Sequence, residues 1–224
     1  MLRPNSLLVF FFLLLADLVL VALNLNEYRV ATKPLLTLLL VIYVLYSRSP
    51  VPKGFRNLLL TALLFSSLGD DLLLYDNGSL FLPGLGSFLI AHIFYIIFFL
   101  KIRYSNPPTP ACKYPFIFLN AAVVILFLLF LMPYLGPFKI PVIIYALTIS
   151  ITVQSVLHSF HFNRQPAGWY CITGAVLFLI SDSLIAVGKF YHPFPGSDIL
   201  VMLTYGLAQF GLVFGSLKYF ESKG

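Results

Sequence analysis

SSLGDDLLLYDNGSLFLPGLGSFLIAHIFY, residues 66–95, sets Asp70, Asp71 and His92 inside apolar runs. Ionisable side chains at membrane depth are expensive to bury, so they mark a functional site by default. A second stretch, GAVLFLISDSLIAVGKFYHPFPG at 174–196, repeats the plan with Asp182 in an apolar helix. Pro83-Gly84 follow Asp70 by 13 and 14 positions, and Pro195-Gly196 follow Asp182 by the same intervals.

The surrounding chain tells the same story. Of 224 residues, 60% are hydrophobic and only 10% charged, with a mean hydropathy of +0.95. Soluble domains average roughly 45–50% apolar and 25% charged. Apolar runs of about 17–22 residues suit helices that cross a ~30 Å hydrocarbon core, and the alternation of membrane barrel strands is absent. The expected fold is an all-α polytopic membrane protein, one integral membrane domain over 1–224 with no room for a sizeable soluble domain. Eight spans are expected, near 7–25, 35–46, 58–75, 84–100, 116–132, 140–160, 168–188 and 198–218.

The first run is longer than a signal-peptide core and carries Asp17, which predicts a retained helix. The second is short, so it is expected to begin before Lys33-Pro34, with Pro34 in its first turn. Connectors such as SRSPVPKG, SNPPTPACKYP and FNRQPAG end helices because proline lacks an amide donor and restricts the residue before it. The spacing match, with Lys33-Pro34 and Lys139-Ile140-Pro141 opening helices 2 and 6, suggests two parallel four-helix halves.

The net charge of +6 comes from fourteen Lys and Arg scattered singly in short loops, which is a topology signal and not a nucleic-acid surface. Ten of them, Arg3, Arg48, Lys53, Arg56, Lys101, Arg103, Lys113, Arg164, Lys218 and Lys223, fall on one side, and Arg29, Lys33, Lys139 and Lys189 on the other. The positive-inside rule then makes both termini cytoplasmic. A bacterial inner membrane is favoured over an organelle membrane. Cys112 and Cys171 form neither a disulfide framework nor a CxxC metal pair.

With that orientation, Asp70 and Asp182 lie at similar depth in the outer half of the bilayer. Helix 4 brings His92 and Tyr95 down to their level, and helix 8 brings Tyr205 and Gln209, an i,i+4 pair on one face. Lys33 sits at the outer mouth of helix 2 and Tyr145 at the outer end of helix 6. Asp71 faces about 100° away from Asp70. The candidate catalytic residues are Asp70, Asp182, His92 and Tyr95; the candidate substrate-binding residues are Lys33, Tyr145, Tyr205 and Gln209.

Each has a plainer reading. An aspartate can pack helices by bonding Ser66, Ser67 or Ser181, a histidine can bridge helices alone, and an interfacial lysine is commonly a snorkelling anchor. Two carboxylates at one depth weigh against that reading, since each costs several kcal/mol to bury unpaired. His158 and His161, with Gln154, invite a metal site. They fall roughly 15 Å or more below His92 and the aspartates, and zinc needs three or four ligands within about 2.0–2.3 Å, so no metal is expected. No GxSxG elbow and no P-loop is present. Two carboxylates, a histidine and tyrosines are acid–base equipment.

The motifs SSLGDDLLL, GLGSFLIAHIFY, GAVLFLISDSLIA and the ATKPLL opening of helix 2 resemble the YhhN-like lysoplasmalogenase family of eight-helix membrane proteins, over nearly the whole chain. The doubled aspartate departs from the family pattern at Asp71. The resemblance implies hydrolysis of the vinyl-ether bond of a lysoplasmalogen to a fatty aldehyde and glycerophosphocholine or glycerophosphoethanolamine, with no cofactor. The partners implied are the lysophospholipid substrate and membrane lipid; oligomeric state is left open.

In that chemistry one of Asp70 and Asp182 stays protonated and donates to the enol ether, and the other is ionised, stabilises the cation and activates water. The two roles are interchangeable at this stage. His92 and Tyr95 would orient water or the sn-2 hydroxyl, and Lys33 would hold the phosphate. A proton-coupled transporter would also carry intramembrane Asp and His, and a metal-dependent intramembrane amidase is a third reading.

Overall fold

Proline- and glycine-marked connectors divide the chain as the hydropathy does. The computed structural model describes residues 4–75, 78–106, 114–163 and 165–223; Arg3, Cys112, Lys113 and Arg164 lie outside them. Its helices are α1 (Pro4–Ala22), α2 (Asn26–Leu45), α3 (Lys53–Leu74), α4 (Phe81–Tyr104), α5 (Tyr114–Leu131), α6 (Lys139–Ser159), α7 (Ala167–Ala186) and α8 (Ser197–Glu221). Seven are long and apolar enough to cross a membrane, and α1 contributes a shorter apolar stretch, Leu7–Ala22. The protein is a multi-pass, all-helical membrane protein.

Two boundaries differ from the sequence expectation. Helix α2 starts at Asn26, so Pro34 lies inside it and not in its first turn. Pro34 cannot donate to the Val30 carbonyl one turn back, a loss that membrane helices tolerate when neighbours supply polar groups. Helix α7 ends at Ala186 and runs into a π turn, Val187–Tyr191. The α1–α2 hairpin turns on Asn24, which holds the left-handed conformation at φ 57°.

Packing places the site. Helices α3 and α4 pair closely, as do α7 and α8, while α4 lies on α6 and α8 reaches α1 and α2. The order α1·α2, α2·α3, α3·α4 recurs as α5·α6, α6·α7, α7·α8. Helices α7 and α8 meet backbone to backbone: a Cβ on Gly174 would sit 2.7 Å from the Ala208 carbonyl oxygen, and one on Gly211 2.8 Å from that of Tyr170. Where lipid tails are as apolar as leucine, such close van der Waals approach drives association. Helix α5 stands at the edge, packing a small apolar cluster of Val124, Leu128 and Leu131 against Val142 of α6. Much of its surface is exposed.

Candidate active site

Asp70 lies in the penultimate turn of α3, 1% exposed. Gly69 before it has a packing reason, since a Cβ there would meet the Phe88 ring at 2.6 Å. Among the described residues, three donors reach the Asp70 carboxyl. Lys33 Nζ stands 3.2 Å from Oδ1; the Tyr205 hydroxyl donates to Oδ2 at 2.5 Å, and Thr37 Oγ1 donates to the same oxygen at 3.4 Å. The Asp70 carboxyl is thus the acceptor in each of these contacts. The chain continues inward: Gln209 Nε2 donates to the Tyr205 hydroxyl (3.2 Å), and Tyr95 donates to Gln209 Oε1 (2.6 Å).

Asp182, in the last turn and a half of α7, keeps different company. The Tyr145 hydroxyl donates to its Oδ2, and His92 Nε2 lies 3.8 Å from that oxygen. His92 is fully buried, with Nε2 lacking a hydrogen-bond partner. Its neighbour Thr152 donates its hydroxyl to the Thr148 carbonyl (3.0 Å). Thr152 Oγ1 is therefore placed to accept from His92 Nδ1–H at 3.3 Å, and Nε2 faces Asp182. Ser181, one of the plainer partners considered for the aspartate, donates to the Val201 carbonyl instead.

The two carboxylates obey one rule. Each is faced by the second helix of its own half and the fourth helix of the other: Asp70 is bonded from α2 and α8, and Asp182 is bonded from α6 and approached by His92 of α4. Between them stand two aromatic rings. Phe178 packs against His92 (4.5 Å between centroids) and Tyr205 (5.5 Å), and Phe88 against Phe178 and Tyr205.

Three cavities meet here. A small chamber of about 40 Å³ is walled by Phe81, Phe88, Tyr145, Asp182 and Phe190, room for about three or four waters at the ~10–15 Å³ that one requires. Through Tyr145, Asp182, Val142 and Ala186 it shares a wall with an apolar groove of about 380 Å³ between α5, α6 and α7. Through Leu73, Phe81 and Ile185 it adjoins a polar vestibule, also about 380 Å³, lined by Arg29, Lys33, Lys189 and Asp198.

All eight residues singled out in the sequence fall in these two linked clusters. Asp182 and Tyr145 reach the cavities, whereas Asp70, His92, Tyr95, Tyr205 and Gln209 form the buried shell behind. Lys33 lines the vestibule with its ammonium on Asp70. Asp71, next to Asp70, is partly exposed. The sequence reading missed Thr37 and Thr152, though helical spacing carries the signal: Thr37 follows Lys33 by four residues, and Thr152 follows Tyr145 by seven. His158 lies thirteen residues beyond Tyr145 on α6, about 20 Å along the axis. Among the described residues no group of three or more His, Cys, Asp or Glu is assembled for a metal.

Paired intramembrane carboxylates, each bonded by a tyrosine and set among seven membrane-length helices, define a polytopic membrane protein with its polar centre inside the bilayer. The chain belongs to the YhhN family, whose profile matches residues 28–216. It is 29% identical over 165 residues to the Homo sapiens lysoplasmalogenase TMEM86B, covering 74% of this chain and 66% of that one. It is 31% identical over 157 residues to a lysoplasmalogenase of Mycobacterium bovis, covering 69% and 58%. The chain thus spans less than two thirds of these relatives' length. No solved structure matches it.

Proposed function

We propose that the protein is a lysoplasmalogenase, hydrolysing the vinyl-ether bond of a lysoplasmalogen by carboxylic acid catalysis at Asp182. The observation that carries this is the position of Asp182 on the wall shared by chamber and groove, while Asp70 is sealed behind it in a cage of donors. That difference supports giving the acid role to Asp182 and the stabilising role to Asp70. The names of the relatives support the substrate class.

The enol ether, R–CH=CH–O–R′, occupies the chamber, with its chain in the apolar groove and its head group in the vestibule. Asp182, protonated, gives its proton to the β-carbon, and the π electrons form that C–H bond and leave an oxocarbenium ion. The newly ionised Asp182 and the Asp70 carboxylate stabilise the cation in a water-poor site, where charge interactions are strong. Water adds to the cationic carbon, and its proton returns to Asp182. The hemiacetal then collapses: its hydroxyl proton leaves, the C–O bond to glycerol breaks, and the glycerol oxygen takes up a proton. One water is consumed, and a fatty aldehyde and a glycerophospho compound are released. Tyr145 holds Asp182; Tyr205, Gln209 and Tyr95 hold the Asp70 side. No cofactor enters the scheme. The charge asymmetry supports cytoplasmic termini, with the vestibule opening on the opposite side.

Turnover of a lysoplasmenyl lipid in D₂O tests the reading. The aldehyde should carry one deuterium on the carbon next to the carbonyl, and the saturated alkyl-ether analogue should not react. Absence of aldehyde, or equal release of alcohol from the alkyl ether, would sink it.

A further inference from the structure

Phe88 of α4 stands between the two carboxylates: it lines the chamber beside Asp182 and packs against Tyr205, whose hydroxyl donates to Asp70. Its place is prepared by the residue before Asp70. A Cβ on Gly69 would lie 2.6, 2.7 and 3.1 Å from Cδ2, Cε2 and Cγ of the Phe88 ring. A point so close to three neighbouring ring carbons lies over the face of the ring, since an approach within its plane would leave the third carbon much farther off. The bare Cα of Gly69 therefore supports one face of Phe88, and the other face turns away from α3.

Four aromatic rings share the chamber wall with Asp182, from Phe81, Phe88, Tyr145 and Phe190, and they are not equivalent. Phe81 already has the Lys189 ammonium 4.0 Å from its ring centre and meets Phe138 and Phe190 in T-shaped contacts. A second cation there would face a like charge. Tyr145 is committed to Asp182 through its hydroxyl. Phe88 has the Asp70-bound Tyr205 behind it, so its ring lies between the chamber and a carboxylate. An aromatic face carries the negative end of a quadrupole, which attracts a cation most strongly where water is excluded. Filling space alone would be met by an aliphatic side chain, as Leu73 and Leu85 meet it on the same wall.

The geometry points to Phe88 as a catalytic residue whose second face receives the cationic carbon, with Gly69 as the positioning residue for its ring. Resting on the lysoplasmalogenase reading, this adds a cation–π contact to the two carboxylates that stabilise the oxocarbenium ion. No proton or electron pair passes to the ring. It also gives the glycine of the Gly69-Asp70 pair a part in the chemistry, because a side chain there would displace the ring from the chamber wall.

Fluorination tests the ring's charge apart from its shape. The full chain, in phosphatidylcholine vesicles, is made with Phe88 replaced by phenylalanine carrying one, two and three ring fluorines, which withdraw negative charge from the face at nearly constant volume. Turnover of a lysoplasmenyl lipid should fall step by step, with kcat down about tenfold across the series, the range of a desolvated cation–π contact. KM and Tm should hold. Phe88→Leu should lose a similar factor; if it fails to fold, the fluorinated series decides. The same series at Phe99, fully buried three turns along α4, should leave kcat unchanged. Binding supplies a readout that needs no turnover: a 1-alkylamino lysolipid, with an ammonium in place of the ether oxygen, should bind more tightly than the 1-O-alkyl lysolipid, and fluorination of Phe88 should erode that excess. A series flat in both readouts, or a loss of kcat that tracks a loss of Tm, overturns the assignment. Wild-type protein that makes no aldehyde yet shows the fluorine-sensitive excess would refute the hydrolase reading alone.

Discussion

Asp70 and Asp182 sit at matching places in the two halves but should fail differently. Asp182→Asn removes the proton donor and should lower kcat by about 10²–10⁴ with little change in lysolipid affinity. Asp70→Asn should also lower kcat, and it strands the Lys33 ammonium, where breaking a buried pair costs about 3–5 kcal/mol. Thermal unfolding should therefore show a clear loss for Asp70→Asn and little for Asp182→Asn, and similar losses would contradict the division of roles. The double variant should be no slower than the worse single one, since the groups act as a unit. Asp71→Asn is expected to be mild. Chelation should leave turnover intact, as should His158→Ala; activity lost to a chelator and restored by zinc would refute metal-free catalysis. The aspartates were legible because apolar context makes a carboxylate conspicuous. Thr37 and Thr152 were not, because a hydroxyl is cheap at membrane depth and its value lies in what faces it across the helix boundary.

Helices α7 and α8 owe their contact to glycine, and α8 carries Tyr205 and Gln209 into the site. Gly211→Leu would have to push α8 away from the Tyr170 carbonyl, an overpacking that costs about 1–3 kcal/mol. It should lower both Tm and activity by drawing Tyr205 off Asp70. Gly86→Ala, where a Cβ meets nothing within 4 Å, is the matched control, and equal effects would show that the close approach is dispensable. Helix number followed from hydropathy and proline placement. The extra length of α2 and the π turn did not: Pro34 reads as a start signal, and a π turn is one added residue per turn with no composition of its own. That turn brings Lys189 to the vestibule and Phe190 to the chamber.

For the whole molecule, the ten-to-four distribution of Lys and Arg predicts that cysteines placed at Ser79 and Ser197 react with an impermeant thiol reagent from outside intact cells. Labelling only after lysis would invert the orientation. The polytopic fold was plain from composition, and the meeting of α3, α4, α7 and α8 was implied by polar residues at a shared depth. The cavities were not, because they are the gaps that packing leaves and no residue announces one. The groove between α5, α6 and α7 has a consequence at the bench. It is apolar, ends on a polar chamber and is walled by a helix largely exposed at the edge of the bundle, so its shape admits single-tailed amphiphiles as a class. Solubilising detergents belong to that class. If the proposed activity holds, micelle-purified protein should therefore turn over under competition, with an apparent KM that climbs with detergent concentration and tail length, and with a Tm raised by the occupant. Transfer to lipid nanodiscs should lower both.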